Sequence, residues 1–138
     1  MSWFGKTGDK DTGEASIFER WKPGRIGFDS ETAVAPQHAS SGGGERRQMT
    51  IHTIINFRPK RLIIPAHIAR YFVVIDFHIG RQSVFLSSDA LPAMAFVKAV
   101  EPQSPLPEML IGMEARLIVQ NASNEWVRFG AWLEGEYL

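Results

Sequence analysis

The stretch from Phe57 to Val97, FRPKRLIIPAHIARYFVVIDFHIGRQSVFLSSDALPAMAFV, holds the densest apolar runs of the chain and its most regular turn punctuation. It reads as β structure. Arg61 to Pro65 is a short β-branched run closed by proline, and Tyr71 to Ile79 is a longer aromatic and β-branched run. Strict alternation puts Tyr71, Val73, Ile75, Phe77 and Ile79 on one wholly apolar face, expected to be the core face, with Phe72, Val74, Asp76 and His78 on the other. Gly80-Arg81-Gln82 is a tight connection into Ser83 to Ser87, and Ala66 to Arg70 has room for one helical turn after Pro65. Ser88 to Met94 is expected as a loop and Ala95 to Val100 as a short strand.

The same logic extends to both sides. Met49, Ile51, Thr53, Ile55 and Phe57 alternate with Thr50, His52, Ile54 and Asn56, which predicts a half-buried strand. Arg58-Pro59-Lys60-Arg61 follows, and its proline marks an edge or corner because it cannot donate to a ladder. Pro102, Pro105 and Pro107 exclude a regular element, and Met109 to Gly112 is at most a short piece. Glu114 to Gln120 places Ala115, Leu117 and Val119 opposite Arg116, Ile118 and Gln120. Asn121 to Asn124 is turn chemistry, after which Trp126 to Leu133 is expected to return as a hairpin partner, with Val127, Phe129, Ala131 and Leu133 inward. Short strands with regular turns and no helix of ordinary length predict an all-β protein, a single jelly-roll-like β-sandwich over residues 48–138.

Residues 1–47 differ in composition, being rich in Gly, Ser, Thr, Asp and Lys, and are expected to form an extended, mostly irregular, partner-binding N-terminal arm. Ala15 to Trp21 is long enough for one or two helical turns, ended by Pro23-Gly24, and Ser40-Ser41-Gly42-Gly43-Gly44 is a flexible joint. The arm carries Trp3, Phe4, Ile17, Phe18 and Trp21 as separate aromatic anchors.

At 138 residues the chain is one domain's worth. The absence of cysteine removes disulfides, thiolate metal sites and thiol nucleophiles. Fifteen Lys and Arg balance fifteen Asp and Glu, so no global basic field exists and nucleic acid is not expected as the principal partner. No apolar run approaches the roughly 20 residues of a membrane span, and the opening MSWFGKTGDKDTGE lacks the apolar core of an export signal.

Catalytic constellations are weak. Asp76, His78 and the serines Ser83, Ser87 and Ser88 invite comparison with a Ser-His-Asp triad, but neighbours on one strand face diverge from triad geometry and no nucleophile elbow is present. His38, His52, His67 and His78 have no metal-ligand spacing, so no metal or cofactor is expected. Two basic clusters, Glu45-Arg46-Arg47 and Arg58-Pro59-Lys60-Arg61, suit acidic patches of a protein partner better than phosphate. Trp126 and Trp132, outward with Arg128 between them, are the residue types that dominate interface hot spots. They also suit a sugar-stacking platform.

The string from Phe57 to Phe96, continuing to GMEARLIVQNASNEWVRFGAWLEG, resembles small virion proteins of tailed bacteriophages, the jelly-roll cement or decoration proteins on the outside of the capsid. The likeness rests on the R-P-x-R-L-x-I-P corner at Arg58 to Pro65, the I-A-x-x-F segment at Ile68 to Phe72, the D-F-x-I-G strand end at Asp76 to Gly80, and the loop into Pro92-Ala93. It implies a protein without an active site that bridges major capsid protein subunits on the outer capsid surface of the virion, is made in the host cytoplasm, and associates with copies of itself as a homodimer or homotrimer. Contacts are then expected first from Trp3, Phe4, Phe18 and Trp21, next from Trp126, Arg128 and Trp132, and third from Arg58, Lys60 and Arg61. A carbohydrate-binding jelly roll, a small cupin-type metal enzyme and a major capsid protein are the alternatives.

Overall fold

The computed structural model describes residues 20–36, 44–84, 90–97 and 106–138. In chain order the elements are β1 (Lys22–Val34), β2 (Arg46–His52), β3 (Phe57–Ile63), a helical turn α1 (Ala66–Ala69), β4 (Phe72–Ile79), β5 (Gln82–Ser83), β6 (Leu91–Pro92), a 3-10 turn (Ala93–Phe96), β7 (Glu114–Asn121) and β8 (Val127–Tyr137). Two antiparallel sheets face each other. One has the order β1-β8-β3, the other β2-β7-β4-β5, with β6 also pairing with β4. The first strand lies beside the last and the second beside the seventh, so the chain is a long antiparallel ribbon rolled until β8 sits between β1 and β3 and β7 between β2 and β4. That winding makes the protein a jelly-roll-like β-sandwich.

The core fills the space between the sheets with Phe28, Phe57, Leu62, Phe72, Val74, Phe77, Leu117, Val119, Phe129 and Leu133, all buried. Phe28 meets Phe77 edge-on at 6.3 Å and Phe72 meets Phe129 at 5.0 Å, each pair joining one sheet to the other. Such pairs contribute roughly 0.5–1.5 kcal/mol beyond their area. Ala115, Leu117 and Val119 point inward as their alternation predicts, as do Phe129, Ala131 and Leu133.

Several expectations are corrected. In β4 the buried residues are Phe72, Val74, Phe77 and Ile79, not the strict series from Tyr71. A bulge between Val74 and Asp76 inserts Ile75 and switches the parity. The Asp76 carboxylate helps to hold it by accepting the Phe77 N–H at 2.8 Å. The strand expected over 49–57 stops at His52, because the Thr53 hydroxyl turns back onto the Ile55 carbonyl and the Thr53 N–H goes to Met113 O. Phe57 therefore opens β3 and Pro59 sits within it, on the sheet edge where a proline is tolerated. Ala95 and Phe96 belong to the 3-10 turn and not to a strand; Lys98 to Val100 lie outside the described residues.

The largest correction concerns the expected arm. Residues 22–34 are a thirteen-residue strand paired with β8 along nearly its whole length, with Phe28, Ser30 and Val34 buried. Its two glycines and its polar Asp29-Ser30-Glu31-Thr32 bulge hide the alternation, so Pro23-Gly24 begins β1 instead of ending a helix. Trp3, Phe4, Phe18 and the glycine joint at 40–43 lie outside the described residues.

β7 and β8 do not form a hairpin either. They lie in different sheets, and the corner between them is built on Asn121. Its fully buried amide donates to Val34 O at 3.0 Å and Glu125 O at 2.7 Å, while its Oδ1 accepts the Ser123 N–H and hydroxyl at 2.9 and 2.7 Å. Gly80, at φ 63°, closes the expected β4–β5 turn in a conformation that favours glycine.

Candidate adhesive surfaces

On the three-stranded sheet, register places the basic cluster of β3 beside acids of β8. Arg58 lies opposite Glu136 and Arg61 opposite Glu134. Arg61 Nε is 3.0 Å from Glu134, Lys60 Nζ 3.7 Å from Glu136 and Arg58 Nε 3.5 Å from Glu108. Such exposed pairs are worth about 0–1 kcal/mol each. Their consequence is local neutrality: the cations carry their own counter-charges. Trp21 joins this group, its ring 3.7 Å from the Arg58 guanidinium carbon.

The expected Trp126–Arg128–Trp132 array is divided by the structure. Trp126 stands at the corner before β8 with 65% of its surface exposed. It lies six positions before Trp132, about 20 Å of strand. Trp132 is half-buried, with the Arg25 guanidinium 5.1 Å from its ring centre. Arg128 grips Asp29 with two hydrogen bonds, Nε to Oδ1 at 3.1 Å and Nη2 to Oδ2 at 2.8 Å. These bonds, with the Glu31 N–H, hold the Asp29 carboxyl below its ordinary range. Arg128 and Trp132 do share one cleft, together with Asp29 and His67.

In the other basic cluster Arg46 is exposed, whereas Arg47 is spent on the fold. Arg47 donates to Glu45 at 2.7 Å, to Ser30 O and Thr32 Oγ1 at 3.0 Å, and to Ala33 O at 3.3 Å. It thereby fastens the β1 bulge to β2. Glu45 accepts the Ala35 N–H as well, and its pKa is lowered, first by Arg47 and then by that backbone bond.

A surface that the sequence did not single out lies at one end of the sandwich. Ile54, Ile111, Leu110 and Leu138 are 85%, 67%, 54% and 49% exposed. Backbone hydrogen bonds hold their segments together: Gly112 N to Thr53 O at 2.8 Å, Leu138 N to Asn56 O at 3.1 Å, and the Phe57–Met109 pair at 2.8 Å in both directions. The Asn56 side chain accepts the Ile111 N–H at 3.1 Å. The apolar side chains are thus presented on a braced tip. Lys22 and Phe57 both pair with Tyr137, which brings Trp21 to this end too.

The polar groups considered for catalysis are placed as follows. His78 Nδ1 is 3.1 Å from Asp76 Oδ2, and Ser83 Oγ is 3.5 Å from Asp76 Oδ1. The carboxylate, not the imidazole, faces the hydroxyl, which is the wrong order for a nucleophilic triad. His52 lies beside Glu114 at 3.5 Å, and among the described residues no three His, Asp or Glu side chains converge as metal ligands. Compared with known protein families, curated proteins and solved structures, the chain matches none.

Proposed function

We propose that this chain is a non-enzymatic virion structural protein that decorates the outer surface of a phage capsid and stabilises the shell by bridging major capsid protein subunits. The observation that supports this most is the braced apolar tip of Ile54, Leu110, Ile111 and Leu138. Large apolar side chains held in water without a cover are characteristic of a surface that meets another protein. Their backbone is already fixed by hydrogen bonds, so docking loses little chain entropy. Around them Trp21 and Arg58 supply an aromatic and a guanidinium, the types enriched at binding hot spots.

The role asks for area and repetition. One tip contributes a modest affinity, but copies that associate with each other on a lattice raise the effective concentration of every further contact. Zero net charge opposes neither self-association nor crowding on a shell. The test is sedimentation of the protein with expanded, undecorated shells of its own phage. Saturable binding at a fixed ratio to the capsid subunit, weakened by Ile54→Asp with Ile111→Asp, is expected. Protein that stays in the supernatant with intact shells refutes the proposal.

A further inference from the structure

Beside β8 the three-stranded sheet opens into a cleft of about 460 Å³, inside the roughly 300–1,000 Å³ of small-molecule sites. Its cause is topological. β3 pairs with β8 only as far as Ile63 opposite Trp132, and the chain then leaves the sheet through Pro65 into α1. No described strand flanks β8 on that side from Val127 to Ala131. Pro65, His67 and Ile68 form one wall, Trp132 and the Asp29–Arg128 pair contribute the others, and Gly130 brings no side chain to fill the space.

The chemistry of the lining narrows what can enter. The Trp132 indole N–H is buried, without an acceptor among the described residues, so Trp132 offers the cleft its ring and not its donor. Asp29 Oδ1 already accepts from Arg128 Nε and the Glu31 N–H, whereas among the described residues Oδ2 accepts only from Arg128 Nη2. A carboxylate has about four acceptor sites, so one remains. The Arg128 Nη1 donors are uncommitted among the described residues. Asp29 and Arg128 cancel each other's charge, so the cleft offers no net charge to attract an ionic ligand. A purely apolar ligand would take water from the Arg128 Nη1 donors and the spare carboxylate site and give them no partner. A ring whose hydroxyls both donate and accept, and whose C–H faces rest against Pro65, Ile68 and the Trp132 ring, satisfies both demands.

We propose that this cleft is a binding site for a neutral saccharide unit, independent of the apolar tip. The test is NMR titration of the full chain with glucose, galactose, mannose, N-acetylglucosamine, maltose and lactose, following the Trp132 indole N–H resonance. At least one sugar is expected to bind saturably and to move that resonance. Gly130→Val should weaken binding more than tenfold by filling the cleft; a Cβ there meets only Phe28 O at 3.9 Å, so the sheet accepts it. Trp132→Phe, which shrinks the ring that the sugar face rests on, should also weaken it, while Trp126→Ala should leave it unchanged; thermal melts check each variant's fold. Failure of all six sugars to bind overturns the proposal, as does binding that survives both Gly130→Val and Trp132→Phe, or that falls equally in Trp126→Ala.

Discussion

Replacing Asn121 by alanine should destabilise the fold by about 2–4 kcal/mol, since the substitution strands a buried carbonyl. The side chain makes four hydrogen bonds at the corner that carries the chain from one sheet to the other. Ser123 and Glu125 reach solvent, so their groups rehydrate and each lost bond costs about 0.5–1.5 kcal/mol at most. Val34 is fully buried, and its carbonyl is left without this donor at a cost of about 1–3 kcal/mol. The total is a large share of the roughly 5–15 kcal/mol that holds a domain together, and it corresponds to a fall in Tm of about 10 °C. Urea titrations followed by near-UV circular dichroism and tryptophan fluorescence, with an unchanged m value, measure it. Asn121→Asp is the sharper comparison: at neutral pH it keeps the shape, loses both donors and sets carboxylate oxygens against two carbonyls. It should be at least as destabilised as the alanine variant and should recover in part on acidification, when the protonated acid can donate once. An alanine variant within about 0.5 kcal/mol of the parent, inside the ordinary scatter of surface substitutions, would refute this account of the corner.

Removing residues 1–36 deletes β1 with Phe28 and Val34, so the product should lose its cooperative melt and dispersed NMR spectrum. Ile54→Asp and Ile111→Asp should change stability by no more than about 0.5 kcal/mol, because both side chains already face water, while lowering shell binding. Glu45 titrates below the ordinary glutamate value of 4.5 in the folded state. Its contribution is therefore fully present above that value and is lost as pH falls from it through the lower folded pKa. Arg47→Met should remove most of that acid-sensitive component and leave the part due to the Ala35 N–H, seen as a flatter dependence of the urea midpoint on pH below about 4.5. Arg61→Ala, which breaks an exposed pair with Glu134, should cost less than about 1 kcal/mol in the same assay.

What was legible in the sequence is what period-two alternation controls. Ala115, Leu117 and Val119 in β7, and Phe129, Ala131 and Leu133 in β8, each follow from a strand with one buried face. The failures occur where the backbone departs from that period. Ile75 adds a residue to β4 and reverses the faces before it; the Asp29 to Ala33 irregularity, with Glu31 at φ 63°, breaks β1 into pieces that resemble a polar linker. Neither bulge carries a composition signal strong enough to be read without knowing the partner strand. Trp132 on the outward face of β8 follows from that period, and its distance from Trp126 from the rise of a strand, yet the capture of Arg128 by Asp29 depends on a residue ninety-nine positions away in sequence.

The same reasoning explains why the surface with the strongest claim to a partner stayed hidden. Ile54, Leu110 and Leu138 come from three distant segments, and each alone reads as an unremarkable apolar residue beside a turn. They become one surface because Thr53, Asn56 and Phe57 exchange backbone hydrogen bonds with Gly112, Leu138 and Met109. Backbone pairing carries no side-chain identity, so any sequence compatible with the turns could present that tip. Selection for apolar residues at those positions would then reflect what the tip meets, since the fold itself is indifferent to side chains that point into water. Polar substitution across the tip separates the two demands: stability should be untouched while attachment falls, and a parallel loss of both would assign these residues to the core economy of the sandwich instead.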